Sequence, residues 1–195
     1  MNNIHVDCVL DAKANLGEGP IWSIKDQNLY WVDINNCQLC KFNPVNGKNI
    51  TINVGKPIGC FAIKKNLNII LALTNGFFEL NQNDKSMNFI NNPETNILDN
   101  RFNDGTVDLK GRFYAGTMPI SGSKINSKPK GNLYCLDRSG KVKKTMEGFY
   151  TINGLAFSPD GKTAYISDSA PWIRTIWAYD YNLDDGNWSN KRIFF

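Results

Sequence analysis

The sequence is poor in histidine: His5 is the single one in 195 residues. This scarcity excludes the Ser-His-Asp and Cys-His mechanisms in their usual forms, and also a histidine-rich zinc site. No apolar run is long enough to span a bilayer, and Met1 to Leu10 lack the basic start and apolar stretch of a secretory signal. We therefore expect a cytoplasmic protein without a membrane partner, whose cysteines are reduced thiols.

Charge is also unremarkable, since 22 Lys and Arg residues face 18 Asp and Glu residues, for a net charge of +4. The basic residues are scattered and form no stripe interleaved with aromatic residues, which argues against a nucleic-acid partner. Hydrophobic residues make up 42% and aromatic residues 12% of the chain, as in folded globular proteins. The length predicts a single domain over residues 1–195.

Sustained helical periodicity is absent, and short alternating runs bounded by Gly, Asn, Asp and Pro predict an all-β chain. The runs form four similar units, opened by Gly19, Gly59, Gly105 and Gly154. These glycines recur at intervals of about 40 to 50 residues, which is the repeat length of a β-propeller blade. The strands predicted within the units are 19–22, 28–33, 38–42, 59–63, 68–73, 76–80, 104–107, 111–116, 131–137, 153–157, 163–167 and 176–181.

In a propeller the first strand of each blade lines the central channel, and the residue before it faces the channel mouth. These positions carry Glu18, Ile58, Asn103 with Asp104, and Asn153. All but Ile58 bear side-chain oxygen atoms, which suit a hard or borderline divalent cation such as Ca²⁺, Mg²⁺ or Mn²⁺. Such an ion polarises an ester or lactone carbonyl.

Arg101 is the cation of this cluster and would hold the oxygen atoms of a polar substrate. Each candidate also has a purely structural interpretation. Asn103-Asp104-Gly105 is good turn chemistry, Glu18 lies between glycines, and Asn153 suits a left-handed turn. Arg101 is equally at home on a solvated surface. Four further aspartates that follow strand residues are interpreted mainly as turn residues: Asp33, Asp137, Asp168 and Asp180.

At these residues the sequence resembles the regucalcin, gluconolactonase and luciferin-regenerating-enzyme family, also called senescence marker proteins, and within it most of all the animal regucalcins. The resemblance covers essentially the whole chain in order. Its carriers are Leu16 to Trp22 (LGEGPIW), Asn100 to Asp108 (NRFNDGTVD), Gly111 to Met118 (GRFYAGTM) and Ile152 to Ala156 (INGLA).

The resemblance implies a six-bladed propeller, of which this chain holds about four blades, and hydrolysis of sugar lactones such as gluconolactone. It implies one divalent metal ion (Ca²⁺, Zn²⁺, Mn²⁺ or Mg²⁺), with Glu18 and Asn153 matching metal ligands. Arg101 and Asn103 match substrate-binding positions, and Asp104 lies in the same motif. The catalytic residue is unknown, because the aspartate that the resemblance implies as third ligand and general base is expected beyond Phe195.

Two departures from the family pattern bear on function. The acidic substrate-binding residue expected after Gly-Thr-Met is replaced by the run Pro119 to Gly122 (PISG). The family also continues for about two more blades, including the strand expected to pair with Ile4 to Leu10 and close the ring. An open propeller predicts self-association through its exposed edge. Two alternative functions therefore stay open: a non-enzymatic calcium-binding or regulatory protein, and an inactive truncated isoform or scaffold.

Overall fold

The computed structural model describes residues 4–195, which contain 16 β-strands and no helix. Consequently, none of the described residues belongs to a helix long and apolar enough to cross a membrane. The all-β prediction is confirmed. The strands form four antiparallel sheets of four strands each, and every sheet is a meander of consecutive strands. The four repeated units predicted from sequence are these four sheets.

The chain divides into two compact units, one ending at Pro57 and one spanning Ile58–Phe195. The first unit contains one sheet. Its strands are β1 (Gly17–Ser23), β2 (Asn28–Asp33), β3 (Gln38–Phe42) and β4 (Asn49–Asn53). No strand precedes Gly17 among the described residues. The strand expected to pair with Ile4 to Leu10 is placed beyond Phe195, so this pairing stays a prediction. His5 contacts the nearby Asp7 carboxylate in an irregular, exposed segment.

The second unit contains the other three sheets. The second sheet comprises β5 (Ile58–Ile63), β6 (Ile69–Leu73), β7 (Gly76–Leu80) and β8 (Met87–Asn91). The third comprises β9 (Asn100–Val107), β10 (Phe113–Pro119), β11 (Gly131–Leu136) and β12 (Val142–Phe149). The fourth comprises β13 (Ile152–Phe157), β14 (Thr163–Asp168), β15 (Thr175–Asn182) and β16 (Asn187–Ile193).

Two apolar cores hold these three sheets together. The first joins the second and third sheets and consists of Cys60, Ala62, Ala72, Phe77, Phe102, Phe113, Ala115, Tyr134 and Leu136. The second joins the third and fourth sheets and consists of Tyr114, Leu133, Phe149, Ile152, Leu155, Ala164, Ile166, Tyr179 and Tyr181. Side chains on alternate faces of the third sheet thus enter different cores, as the period-2 alternation of a strand requires.

The first strand of every sheet carries a β-bulge near its start. In β1 the register shifts between Glu18 and Ile21, and in β5 between Ile58 and Cys60. In β9 Asn103 is the extra residue, and in β13 the shift follows Asn153. A bulge redirects side chains and is common beside functional sites. The bulges therefore coincide with the positions predicted to face a channel.

The strands predicted from sequence correspond to the inner three strands of each sheet. The fourth strands, β4, β8, β12 and β16, were not predicted. They are largely exposed, so that burial imposes no clean alternation of apolar and polar residues on them. The count of about four blades out of six, the closure of a ring and the assignment of residues 1–195 to one domain stay predictions.

Candidate functional site

The bulge in β9 directs two consecutive side chains towards β13. In a regular strand, neighbouring residues face opposite sides of the sheet. Here the Asn103 side-chain N–H donates to the Ile152 carbonyl (Nδ2 to O, 3.0 Å), and the Asp104 carboxylate accepts from the Leu155 N–H (Oδ2 to N, 3.3 Å). Asn103 and Asp104 therefore bind the backbone on both sides of Asn153.

Asn153 lies in the segment that these two side chains hold. Its own amide oxygen accepts from the Gly154 N–H (3.2 Å), and its Nδ2 is 3.4 Å from the Ser169 hydroxyl oxygen. Gly154 has a φ of 58°, a left-handed conformation that glycine adopts without strain. Asn153 is half-buried, and its amide oxygen has a second lone pair besides the one that accepts from Gly154. Sequence reasoning did not identify Ser169, since nothing local connects it with Asn153.

Arg101 belongs to the same cluster. Its Nη1 donates to the Asn103 amide oxygen (2.9 Å) and to the Phe102 carbonyl (2.8 Å). These bonds fix one edge of the half-buried guanidinium group, and the Asn103 amide connects it to β13. The structure thus brings together four predicted site residues, Arg101, Asn103, Asp104 and Asn153, on two adjacent strands.

Burial governs the ionisation of this cluster. Removal from water raises the pKa of Asp104, against the opposing effect of hydrogen bonds from Gly105, Leu155 and Gly154. The thiol of Cys60 lies in the core below, and burial followed by the Asp104 charge raises its pKa well above the ordinary value. Cys60 is therefore an inert core residue rather than a nucleophile.

The raised pKa of Asp104 makes a prediction about pH. The fold favours the protonated carboxyl, so this contribution to stability is fully present below the ordinary pKa of 3.8 and is lost as pH rises through the raised value. We expect the unfolding free energy of Asp104→Asn to increase relative to that of the unmodified chain as pH rises above the ordinary pKa of 3.8. Urea unfolding at several pH values measures this difference.

Asp137 is the matched control for this experiment. Hydrogen bonds from Ser139 lower the pKa of the Asp137 carboxyl, so its contribution is present above the ordinary pKa and is lost as pH falls. The difference in unfolding free energy between the unmodified chain and Asp137→Asn should therefore change with pH in the opposite direction to that for Asp104→Asn. Parallel pH trends for the two variants would contradict the burial argument for Asp104.

Two equivalent aspartates secure the segments that lead to Glu18 and Asn153. Asp33 ends β2 and accepts from the N–H groups of Asn15 (3.0 Å) and Leu16 (3.1 Å). Asp168 ends β14 and accepts from the N–H groups of Tyr150 (2.7 Å) and Thr151 (3.0 Å). Both aspartates are buried and pair across the sheet with the residue just before Glu18 or Asn153. They are thus backbone anchors rather than the turn residues that the sequence indicated.

Glu18 lies in the first unit, at the β1 bulge. Its side chain is exposed, and no residue within the described range 4–195 forms a hydrogen bond or ion pair with its carboxylate. The described residues also contain no group of three His, Cys, Asp or Glu side chains arranged to hold a metal ion. The exposed Glu18 carboxylate and the Asn153 amide oxygen nevertheless have the donor chemistry that hard divalent cations prefer. Each residue by itself therefore fits the ligand chemistry of such an ion, Glu18 in the first unit and Asn153 in the second.

A buried carboxylate that the sequence did not reveal organises the third sheet at the end where β9 begins. The Glu94 Oε1 atom accepts hydrogen bonds from Asn100 (3.3 Å), Thr117 (3.0 Å), Asn132 (2.7 Å) and Tyr134 (3.0 Å). Burial and the nearby Glu94 charge raise the pKa of Tyr134. Because Asn100 directly precedes Arg101, this hub fixes the start of the site-bearing strand.

We expect Glu94→Gln to lower the unfolding free energy by about 1 to 3 kcal/mol, because a neutral amide oxygen is a weaker acceptor for four converging donors. The matched control is Glu147→Gln on the exposed β12 strand, which should leave the denaturation midpoint unchanged. Urea denaturation followed by fluorescence measures both variants. Equal midpoints for Glu94→Gln and the unmodified chain would show that the hub adds nothing to stability.

Comparison with known proteins places this geometry in context. The family profile described as SMP-30/Gluconolactonase/LRE-like region matches residues 16–195. Regucalcin of Xenopus laevis is 34% identical over 196 residues, which cover 100% of this chain and 65% of the relative. The 6-deoxy-6-sulfogluconolactonase of Pseudomonas putida is 33% identical over 183 residues, covering 94% of this chain and 60% of the relative.

Solved structures show the same relationship. A luciferin-regenerating enzyme superimposes with a TM-score of 0.86 at 31% identity, covering 92% of this chain and 60% of that chain. A calcium-binding protein, regucalcin, from Agrobacterium tumefaciens gives a TM-score of 0.82 at 22% identity, covering 92% of this chain and 59% of that chain, a likeness in fold alone. The chain spans about 65% of the length of the curated regucalcin from Xenopus laevis.

Proposed function

The chain belongs to the SMP-30/gluconolactonase/LRE-like family, and on that premise we propose that it is a metal-dependent hydrolase that opens sugar lactones. The observation that carries the proposal is the hydrogen bonding of Asn103 and Asp104 around Asn153, at 3.0 and 3.3 Å. These hydrogen bonds connect two of the sequence blocks that carry the family resemblance, Asn100 to Asp108 and Ile152 to Ala156. The sulfogluconolactonase name of a 33% identical relative supports the same reaction class.

In the proposed mechanism Glu18 and Asn153 would hold one divalent metal ion, through a carboxylate and an amide oxygen respectively. When bound, such an ion polarises the lactone carbonyl and lowers the pKa of an attacking water. Arg101 holds oxygen atoms of the sugar, since its guanidinium group is already aligned by Asn103. Asp104 keeps the Asn153 segment in place by binding the Leu155 N–H. No general base is assigned among residues 4–195.

Glu18→Gln tests this proposal. We expect metal affinity at least about tenfold weaker and a loss of metal-stimulated gluconolactone opening, because an amide replaces a charged oxygen ligand. Calorimetric titration with Mn²⁺ or Ca²⁺ gives the affinity, and acid release at constant pH gives the rate. The control is Glu147→Gln, an exposed glutamate of β12. Metal-stimulated opening that survives Glu18→Gln unchanged would contradict the proposal.

Whether Glu18 and Asn153 hold the same ion is a separate question, which a double-mutant cycle answers. If they share an ion, the affinity losses of Glu18→Gln and Asn153→Ala are not additive in the double variant. Additive losses of affinity would indicate independent roles. The measurement is the same calorimetric titration, so it does not depend on turnover.

The second candidate is a calcium-binding protein without catalytic turnover. It is favoured by the name regucalcin of the 34% identical relative and by the replacement of the expected acidic residue after Met118. This candidate predicts heat on Ca²⁺ titration, lost in Glu18→Gln, with no lactone opening under any divalent metal. Cytoplasmic location and self-association through an exposed sheet edge also stay predictions, and sedimentation of the purified chain tests the latter.

A further inference from the structure

A cavity lies in the second unit, away from Asn103. Its volume is about 1120 Å³, and it is lined by the end of β9, by the ends of neighbouring strands and by three turns. Val107, the last residue of β9, lines it. Because a strand rises about 3.3 Å per residue, Val107 is about 13 Å from Asn103 along β9. The cavity is therefore separate from the cluster around Asn153.

The walls of the cavity are apolar. Phe113 and Leu136 belong to the core between the second and third sheets, and Ile70 and Ile90 pack against that core while remaining partly exposed. Val107 is 40% exposed at the rim. The core thus opens directly into the cavity, and an apolar ligand would remove these side chains from water.

Two of the three acidic side chains that line the cavity, Glu79 and Asp108, form ion pairs within the protein. Both carboxylate oxygens of Glu79 accept from the Lys64 ammonium group (2.8 and 2.9 Å). Asp108 is buried against Arg112 (Oδ2 to Nε, 2.6 Å). The Asp137 carboxylate accepts from the backbone N–H groups of its own turn, at 2.8 and 3.0 Å. Glu79 and Asp108 consequently oppose an anion little, whereas Asp137 keeps its charge. The Arg138 guanidinium is therefore the group that must attract the anion.

The cationic groups at the rim are more available. Arg138 is exposed, and its guanidinium group forms no hydrogen bond or ion pair with any residue in the part of the chain that the structure describes. Lys110 contacts the Asp184 carboxylate (2.5 Å), but both side chains are largely exposed and such pairs exchange readily with a competing anion. An apolar interior with an unpaired guanidinium at its edge is complementary to an amphiphilic anion.

We propose that this cavity binds a small amphiphilic carboxylate. The apolar body of the ligand packs against Ile70, Ile90 and Val107, and its carboxylate forms a bidentate hydrogen bond with Arg138. Guanidinium and carboxylate groups match in geometry for two parallel N–H to O bonds. This binding site is independent of the proposed lactone chemistry.

The experiment is calorimetric titration of the chain with decanoate, with decanol as the neutral probe of equal length. We expect decanoate to bind to the unmodified chain, and its affinity to fall about tenfold in Arg138→Gln. Decanol should bind to the unmodified chain about as weakly as decanoate binds to Arg138→Gln. The matched control is Lys141→Gln, which removes a cation in the same turn but outside the cavity lining. It should retain decanoate affinity within about twofold.

Val107→Thr tests the apolar wall, since it keeps the branched shape that a strand favours and adds a hydroxyl group. It should weaken decanoate several-fold and leave the urea midpoint near that of the unmodified chain. Four results would overturn the proposal: no decanoate binding, equal affinity for decanol and decanoate, equal losses in Arg138→Gln and Lys141→Gln, or displacement of decanoate by gluconolactone. The last would place the ligand in the Asn153 cluster instead.

Discussion

Replacing Gly59 by alanine should lower the unfolding free energy by about 3 kcal/mol or more, at the upper end of what overpacking costs. An added Cβ atom would lie 2.2 Å from the Phe102 carbonyl carbon and oxygen, and 2.6 Å from the Asn103 nitrogen. All three are backbone atoms of β9, so no side-chain rotation relieves the contact. The strain must be relieved by moving β5 away from β9 or by distorting the bulge that positions Asn103.

Urea denaturation measures the loss, and Gly55→Ala is the matched control. Gly55 has a φ of 75°, and an added Cβ atom there would meet nothing within 4 Å. Its replacement carries only the left-handed backbone cost, about 1 to 2 kcal/mol. Equal losses at the two positions would show that β5 and β9 separate without difficulty, and that the close approach is unimportant. A displaced bulge in Gly59→Ala should also weaken the metal binding that we propose for Asn153.

Gly59 shows both what could be predicted from the sequence and what could not. Glycines recurring at blade length predicted four sheets and located the first strand of each one. The inner strands were predictable because burial imposes alternation on them, and the outer strands were not because exposure removes that constraint. Why Gly59 must be a glycine was not predictable, since the reason is the backbone of a strand about 40 residues later in the chain.

The candidate site was predicted as a set of residues, but not as a set of contacts. Arg101, Asn103 and Asp104 were identified from a polar cluster before a glycine. Strict alternation would send Asn103 and Asp104 to opposite faces, yet both reach β13 because Asn103 is the extra residue of a bulge. Bulge positions depend on pairing register, which alternation alone does not specify.

The anchoring carboxylates were misinterpreted or missed for a related reason. Asp168 follows a strand, so the sequence indicated a turn, whereas its carboxylate binds backbone N–H groups 17 and 18 residues away. Glu94 lies in an undistinguished loop and accepts from Asn132 and Tyr134, which are 38 and 40 residues away. Contacts of this separation depend on the packing of finished strands and leave no local sequence pattern.

A last carboxylate, Asp108, allows the second large effect to be predicted. Its side chain is fully buried, and its Oδ2 atom accepts from Arg112 Nε (2.6 Å) and from the Tyr181 hydroxyl (2.6 Å). Arg112 also donates to the Leu183 carbonyl (2.6 Å), so the network joins the third sheet to the fourth. Burial, followed by the hydrogen bond to Asp108, raises the pKa of Tyr181 far above its ordinary value.

We expect Asp108→Ala to lower the unfolding free energy by about 3 to 5 kcal/mol, because it leaves the Arg112 guanidinium poorly solvated and without its carboxylate. Arg112→Ala should cost a similar amount, and the double variant clearly less than the sum, since the charge stranded by either single change is then gone. The control is Asp184→Ala. The Asp184 side chain is 89% exposed, so its replacement should leave the urea midpoint unchanged. Additive losses at Asp108 and Arg112 would mean that the two residues act separately, and that packing alone holds the fourth sheet to the third.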